Sequence, residues 1–477
     1  MFALLRSRRV QRAWLASLAC VFTCAALSAR VPSAHAQAAG APQAADASPE
    51  SVPSAANAAE DEPSLWEASR AEDLVIKLVT FGPGDEVFNY FGHNGLIVED
   101  KADHTARLYN FGMFHFGAAM LPNYMKGKLT FWVGEASVRA TFAHYRVANR
   151  SIRLQELNLP PERRKRMANA LATTVLPQHR NYLYDHFFNN CSTRLRDLID
   201  DATDGQFRRT LSHSARMSYR QHIRRYAQRD PVADFALVFW MNGFMERPIK
   251  QWDELFLPEE LEHQVARMHY RSVQGRDEAL VATSYTVFEA DRPATPVWPN
   301  RGYPMAIVIG CGIGLCALAL VLWATSINAR NTRNRAGAWP LRLLSVHHAL
   351  FGLVLGVPGL LAALMWAFTE HTVTYHNQNL LLSNPLTAGL FPLGVGMAFG
   401  AQGAWRWARW TCYALAVSSL GLLLLKLAPN TYQDTSMPLG LFLPANLLLA
   451  VCHRVLAHRT AVADVHVKAA KEAVPQA

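Results

Sequence analysis

The sequence predicts an α+β domain carried across a membrane, followed by an α-helical membrane domain of about five spans. Three observations carry this reading. The chain opens on a leader with a basic front and an apolar body. About 235 residues of ordinary globular composition follow a polar linker. From residue 303 onward, apolar runs of spanning length alternate with short polar loops.

In the leader, Arg6, Arg8, Arg9 and Arg12 form a basic n-region and residues 13–29 an apolar h-region. Ala34-His35-Ala36 before Gln37 is a small-x-small cleavage site. Together these make residues 1–36 a secretory signal peptide. The alternative is an uncleaved anchor helix, since the apolar run is near the lower length for spanning. A lipoprotein signal fits less well, because Cys20 and Cys24 lack the aliphatic and small residues expected before them. Residues 37–65 are almost only Ala, Pro, Ser, Gln, Asp and Glu. Such a stretch cannot bury enough apolar surface to offset its ordering entropy, so it reads as a disordered linker.

Residues 66–302 have the length for one sizeable core. Residues 73–81 are apolar and β-branched, as in a buried strand, and Gly82-Pro83-Gly84-Asp85 is a turn. Phe91-Gly92-His93-Asn94-Gly95-Leu96-Ile97-Val98-Glu99 reads as a glycine-flanked histidine opening a second strand. Residues 106–111, through Tyr109-Asn110, form a third. After Cys191, the spacing of Leu195, Leu198 and Ile199 predicts a helix, with Asn189 or Asn190 as N-cap. Residues 233–245 are apolar but too short to span. They read as a lid or interfacial helix, or as an ordinary buried core helix.

The spans fall at 305–327, 347–368, 386–404 and 410–427, with a shorter, weaker fifth at 438–452. If the soluble domain is outside, the inward loops hold Arg330, Arg333, Arg335 and Arg342, then Arg406 and Arg409, and the tail, 457–477, follows Arg454. The outward loops 369–385 and 428–437 contain no Lys or Arg. Every loop then obeys the positive-inside rule.

A formal charge of +10 and a pI near 9.3 also reflect basic stretches in the soluble domain: Arg163-Arg164-Lys165-Arg166, and Arg216, Arg220, Arg224, Arg225 and Arg229. In an exported, tethered domain the expected counter-charge is an anionic membrane surface and not nucleic acid. A solvated helix face is the bland alternative.

Of seven cysteines, only Cys191 lies between the leader and the first span. It is an inert buried thiol, an intermolecular bridge or a nucleophile. A helix start favours the thiolate. A thiol nucleophile needs an imidazole base and a polar group to fix the tautomer. His93 is the candidate base and Asn110 the orienter, with His186 as the runner-up. His115, His144, His179 and His213 compete. No metal-ligand spacing and no phosphate-cradling glycine loop occur, so no metal or cofactor is expected.

Several motifs together closely resemble the Lnb-type family over residues 66–265. They are Phe81-Gly82-Pro83-Gly84…Phe91-Gly92-His93, Tyr109-Asn110-Phe111-Gly112-Met113-Phe114, Tyr182-Leu183-Tyr184…Phe187-Phe188-Asn189-Asn190-Cys191-Ser192-Thr193-Arg194, and Trp252-Asp253-Glu254-Leu255-Phe256-Leu257-Pro258. The tail is similar to that family's membrane part, notably at His371…His376-Asn377-Gln378-Asn379-Leu380. The resemblance implies a bacterial lipoprotein N-acyltransferase with a circularly permuted papain-like fold, as in the lecithin:retinol acyltransferase group. It implies Cys191 as nucleophile and His93 as base. Membrane phospholipid would be the acyl donor and diacylglyceryl lipoproteins the acceptors, at the bacterial inner membrane with the catalytic domain periplasmic. Secondary site candidates are Tyr184, Asn190 and Arg194 near the thiol, and His371, His376 and Asn379 on the outward loop. A periplasmic thiol hydrolase and a non-enzymatic envelope assembly or receptor module are the rival expectations.

Overall fold

The computed structural model describes residues 66–114, 123, 126–330, 338–429 and 431–472. The leader, the linker and His115 lie outside them. The described chain divides into two compact units: a sheet domain of residues 66–229 and 247–299, and a membrane unit of residues 230–246 and 300 onward.

The sheet domain is α+β. Seven strands form one antiparallel sheet in the order β6-β4-β3-β2-β1-β5-β9. They are β1 Leu74–Phe81, β2 His93–Asp100, β3 Thr105–Met113, β4 Thr130–Ala136, β5 Ile152–Leu157, β6 Asn181–Leu183 and β9 Val281–Phe288. The pair β7 His269–Arg271 and β8 Asp277–Ala279 stands apart. The three strands predicted before residue 112 are all present, each within two residues of its expected ends.

Alternate residues of a strand face opposite ways, and both faces here are covered. On one face Ile76, Leu78, Leu96, Val98, Tyr109 and Phe111 pack with Met167, Leu171, Leu195, Ile199, Leu261 and Val265. Those last six come from helices α2 (Pro161–Thr174), α3 (Cys191–Ala202) and α6 (Pro258–Arg267). On the other face Val79, Phe81, Ile97, Leu108 and Leu154 meet Phe142 and Tyr145 of α1 (Val138–Val147). Central β1 is buried on both sides, which explains its unbroken apolar run. Each fully buried aliphatic side chain contributes about 1.5–3 kcal/mol.

The basic stretches are only partly at the surface: Arg166, Arg216 and Arg229 are exposed, whereas others turn inward. Helix α4 (Tyr219–Ala227) is internal: Arg220, Arg224 and Arg225 are all buried. Arg225 pairs with Glu260 at 2.7 Å, and His222 with Glu254 at 2.7 Å. Lys165 donates to the carbonyls of Trp66, Glu67 and Ser69, and Arg163 pairs with Asp204. Arg225, Lys165 and Arg163 thus find counter-charges or acceptors inside the domain, as burial requires.

Among the described residues the membrane unit holds five helices long and apolar enough to cross a membrane: Tyr303–Ser326, Trp339–Phe368, Gln378–Ala398, Gln402–Leu425 and Ser436–Arg459. The fifth, weak in sequence, is full length. The turn between spans three and four sits at 399–401, where Gly400 takes φ +77°, so Arg406 and Arg409 lie in the first turns of span four and not in a loop. Span two contains a π-helical stretch, Gly352–Gly356. Its glycines permit backbone contact with span three: a Cβ on Gly352 would stand 2.2 Å from the Phe391 nitrogen.

The apolar segment expected as a lid or core helix is α5 (Pro231–Trp240), which belongs to the membrane unit. The expected single stretch 66–302 is therefore interrupted at 230–246. The outward loop clasps the end of α5, where helical carbonyls lack partners. Asn377 Nδ2 donates to Phe239 and Trp240 carbonyls at 2.8 and 3.0 Å, and Asn379 Nδ2 to Phe239 at 2.9 Å. Asn242 Nδ2 returns bonds to Thr372 and Tyr375 carbonyls.

Candidate active site

Cys191 is the first residue of α3, and the residues before it are held on all sides. Asn190 caps the helix, its Oδ1 accepting from Thr193 N at 2.9 Å while Thr193 Oγ1 accepts from Asn190 N at 2.8 Å. Asn190 Nδ2 also donates to His186 O and Phe256 O, at 2.8 and 2.9 Å. Asp185 Oδ1 accepts from the Phe187 and Phe188 amides, closing the turn that leads in. Ser192 Oγ donates to Asn94 Oδ1 at 2.8 Å, and Asn94 Nδ2 donates to Thr80 Oγ1 at 2.9 Å. The thiol is thus registered against β2 and β1.

His93 opens β2. Gly92 before it has φ +81°, and a Cβ there would meet Phe81 O at 2.8 Å, so only glycine fits this close entry. In the β2–β3 register Gly95 is opposite Asn110. His93, two residues earlier, shares their face. His93 Nε2 lies 2.5 Å from Asn110 Oδ1. A carboxamide oxygen accepts, so Nε2 carries the proton and Nδ1 is left basic. The imidazole also stacks on Phe81, which stacks on Tyr145.

Burial pushes the Cys191 thiol up. The charge of His93, a hydrogen bond from its ring, the Asn94 backbone and the Ser192 hydroxyl outweigh that and bring it down from 9.0 to about 7. The thiol is therefore a substantial fraction thiolate at neutral pH, which is what nucleophilic attack needs. The hydrogen bond to the sulfur comes from His93, the expected base. The His186 ring stands edge-on to Tyr184.

The other expected residues around the thiol support it. Tyr184 is half-buried and stacks on Phe131 at 4.1 Å. Arg194 donates to Asn189 Oδ1 at 2.8 Å and lies 4.3 Å over the Tyr182 ring. His371, His376 and Asn379 belong to the membrane unit. There His376 packs on Trp366, and Asn379 serves the α5 clasp.

One functional group escaped sequence reasoning. Tyr182 Oη is buried; the Gly112 amide acts on its oxygen, and its own proton has no acceptor. Gly112, at φ +93° beside a register shift in β3, lies between the two: a Cβ there would stand 3.9 Å from both Cys191 Cβ and Tyr182 Oη. Burial, with the Cys191 charge adding to it, raises the phenol above its ordinary value and keeps it a neutral donor. A buried, protonated O–H in the neighbourhood of a nucleophile can serve an oxyanion.

Compared with known protein families, the chain matches the Lnb N-terminal periplasmic domain over residues 62–229 and the Lnb transmembrane domain over residues 314–457. No curated protein and no solved structure matches the chain.

Proposed function

The chain belongs to the Lnb family, and from that premise we propose that it is a membrane-bound cysteine acyltransferase of lipoprotein biogenesis. It moves an acyl chain from a membrane phospholipid to the N-terminal amine of a diacylglyceryl lipoprotein, through a thioester on Cys191. The observation that carries this reading is the Cys191–His93–Asn110 arrangement, with its thiol lowered to about 7. The sheet domain is read as a circularly permuted papain-like fold. The order of parts, a histidine strand before a cysteine helix, supports this. The domain is periplasmic and the five spans lie in the inner membrane.

The chemistry runs in two steps. The thiolate attacks the lipid ester carbonyl. The alkoxide charge that develops is met by backbone N–H groups at the start of α3 and by Tyr182 Oη. Protonated His93 gives its proton to the departing alcohol, releasing lyso-lipid. Neutral His93 then takes a proton from the lipoprotein amine as that amine attacks the thioester, and the thiolate leaves. Asn110 holds the imidazole tautomer throughout.

The test supplies the full chain with phospholipid and a diacylglyceryl-cysteine peptide. Lyso-lipid and N-acylated peptide in equal amounts are expected. Free fatty acid released regardless of peptide would instead identify a hydrolase.

A further inference from the structure

We infer that the membrane unit contains a binding site for copper(I), formed by His348, Cys412 and His453. The proposal is independent of the acyl-transfer reading, because none of the three residues takes part in that chemistry. Among the described residues, these three alone form a His/Cys/Asp/Glu cluster whose ligand atoms all lie within 4.8 Å of one another. Each comes from a different span, the second, fourth and fifth, and each is almost fully buried.

The separations suit a shared ion. His348 Nε2 is 3.0 Å from His453 Nε2 and 3.9 Å from Cys412 Sγ. A metal about 2.0–2.1 Å from nitrogen and about 2.3 Å from sulfur sets its ligands roughly 3.3–3.8 Å apart, between those two values. The tautomer is also prepared. His348 Nδ1 donates to Leu344 O at 2.8 Å, which leaves the Nε2 lone pair aimed at the cluster. The π-helical stretch Gly352–Gly356 begins four residues after His348, and such bulges recur at functional sites.

Charge selects the ion. Two neutral imidazoles and one thiolate around a monovalent cation sum to zero. Around zinc(II) they leave one positive charge in a hydrocarbon interior, where it is costly. Arg409, whose charge acts on His453, opposes a divalent ion further. Thiolate and imidazole are soft to borderline ligands, which suits copper(I) and not magnesium or calcium. On binding, the Cys412 S–H bond breaks, its proton leaves to solvent and an S–Cu bond forms, with no change in oxidation state. Spacing rules missed the site because His348 lies 64 residues from Cys412 and 105 from His453.

The test uses the full chain in detergent, with Cys311 and Cys316 changed to serine to remove less-buried thiols outside the cluster. Anaerobic titration with copper(I) buffered by bicinchoninate should give one bound ion per chain, retained when Cys191→Ala is added. Cys412→Ser and His348→Ala should each weaken binding at least 100-fold, and copper should raise the thermal midpoint of the parent but not of these variants. Monodisperse elution in detergent verifies that each variant is folded, with normal pH-dependent alkylation of Cys191 as a second check in Cys412→Ser and His348→Ala. X-ray absorption should report sulfur and nitrogen neighbours. No binding to the parent, equal binding to Cys412→Ser, or tighter binding of zinc(II) than of copper(I) would each overturn the proposal.

Discussion

At Cys191 two effects oppose each other: burial disfavours the thiolate, while His93 and the donors at the helix start favour it. Iodoacetamide labelling should therefore rise with pH to half its maximum near 7 and level off above it, because the thiolate is the reactive form. His93→Ala removes the largest favourable contribution and leaves burial opposed only by the Asn94 and Ser192 hydrogen bonds, so the midpoint should move upward. Acyl transfer in that variant should fall about 10²–10⁴-fold, the usual worth of a positioned base. Asn110→Ala breaks only the bond that orients the imidazole. Its cost of about 1–3 kcal/mol corresponds to roughly 5- to 150-fold in rate. Tyr182→Phe deletes one oxyanion donor while keeping the ring under Arg194. Turnover should drop about 10²-fold with the Cys191 labelling midpoint near 7 unchanged. An unaltered rate in Tyr182→Phe would show that the backbone donors suffice.

Strands and helix starts carry the parts of the site that could be read directly. The apolar run of β1, the glycine-flanked His93 and the Asn190 cap are local signals, and each specifies its own element. Tyr182 was illegible because its role depends on β6 pairing with β4 and on the shift in β3 at Gly112, contacts between distant segments. The arginines of α4 were misread for a similar reason. The carboxylate partners of Arg225, Glu259 and Glu260, lie some thirty-five residues on, and a basic run looks like a surface until such partners fold against it. Asn190→Ala should destabilise the sheet domain by about 1–2 kcal/mol, seen as a lower denaturation midpoint, because the capping box and the bond to Phe256 O are lost together. In the membrane unit, Gly352→Val places a side chain where only 2.2 Å separates a Cβ from the span-three backbone. Yield of monodisperse protein in detergent should fall sharply, whereas Gly389→Ala, with open space around it, should behave as wild type.

For the whole chain, composition alone separated membrane helices from globular domain, because both hydropathy and loop charge are summed over long stretches. The fifth span was weak in sequence since Pro438, Pro444 and Asn446 interrupt its run. The helix persists, with Asn446 Nδ2 satisfied by Leu382 O and Ser419 Oγ. The excursion of residues 230–246 into the membrane unit was not visible, because a ten-residue apolar helix suits a globular core equally well. On the proposed periplasmic placement of the sheet domain, five spans after it put the C-terminus in the cytoplasm. A fluorescent protein fused there should mature, and alkaline phosphatase fused in the 369–385 loop should be active. The reverse pattern would invert the orientation. The most direct test of the thioester is intact-mass spectrometry of the purified chain given phospholipid. The expected result is one added acyl chain, mapped to Cys191, discharged by a diacylglyceryl-cysteine peptide and missing from Cys191→Ala. A wild-type chain whose thiol alkylates normally yet gains no acyl group, or gains it at another residue, would contradict it.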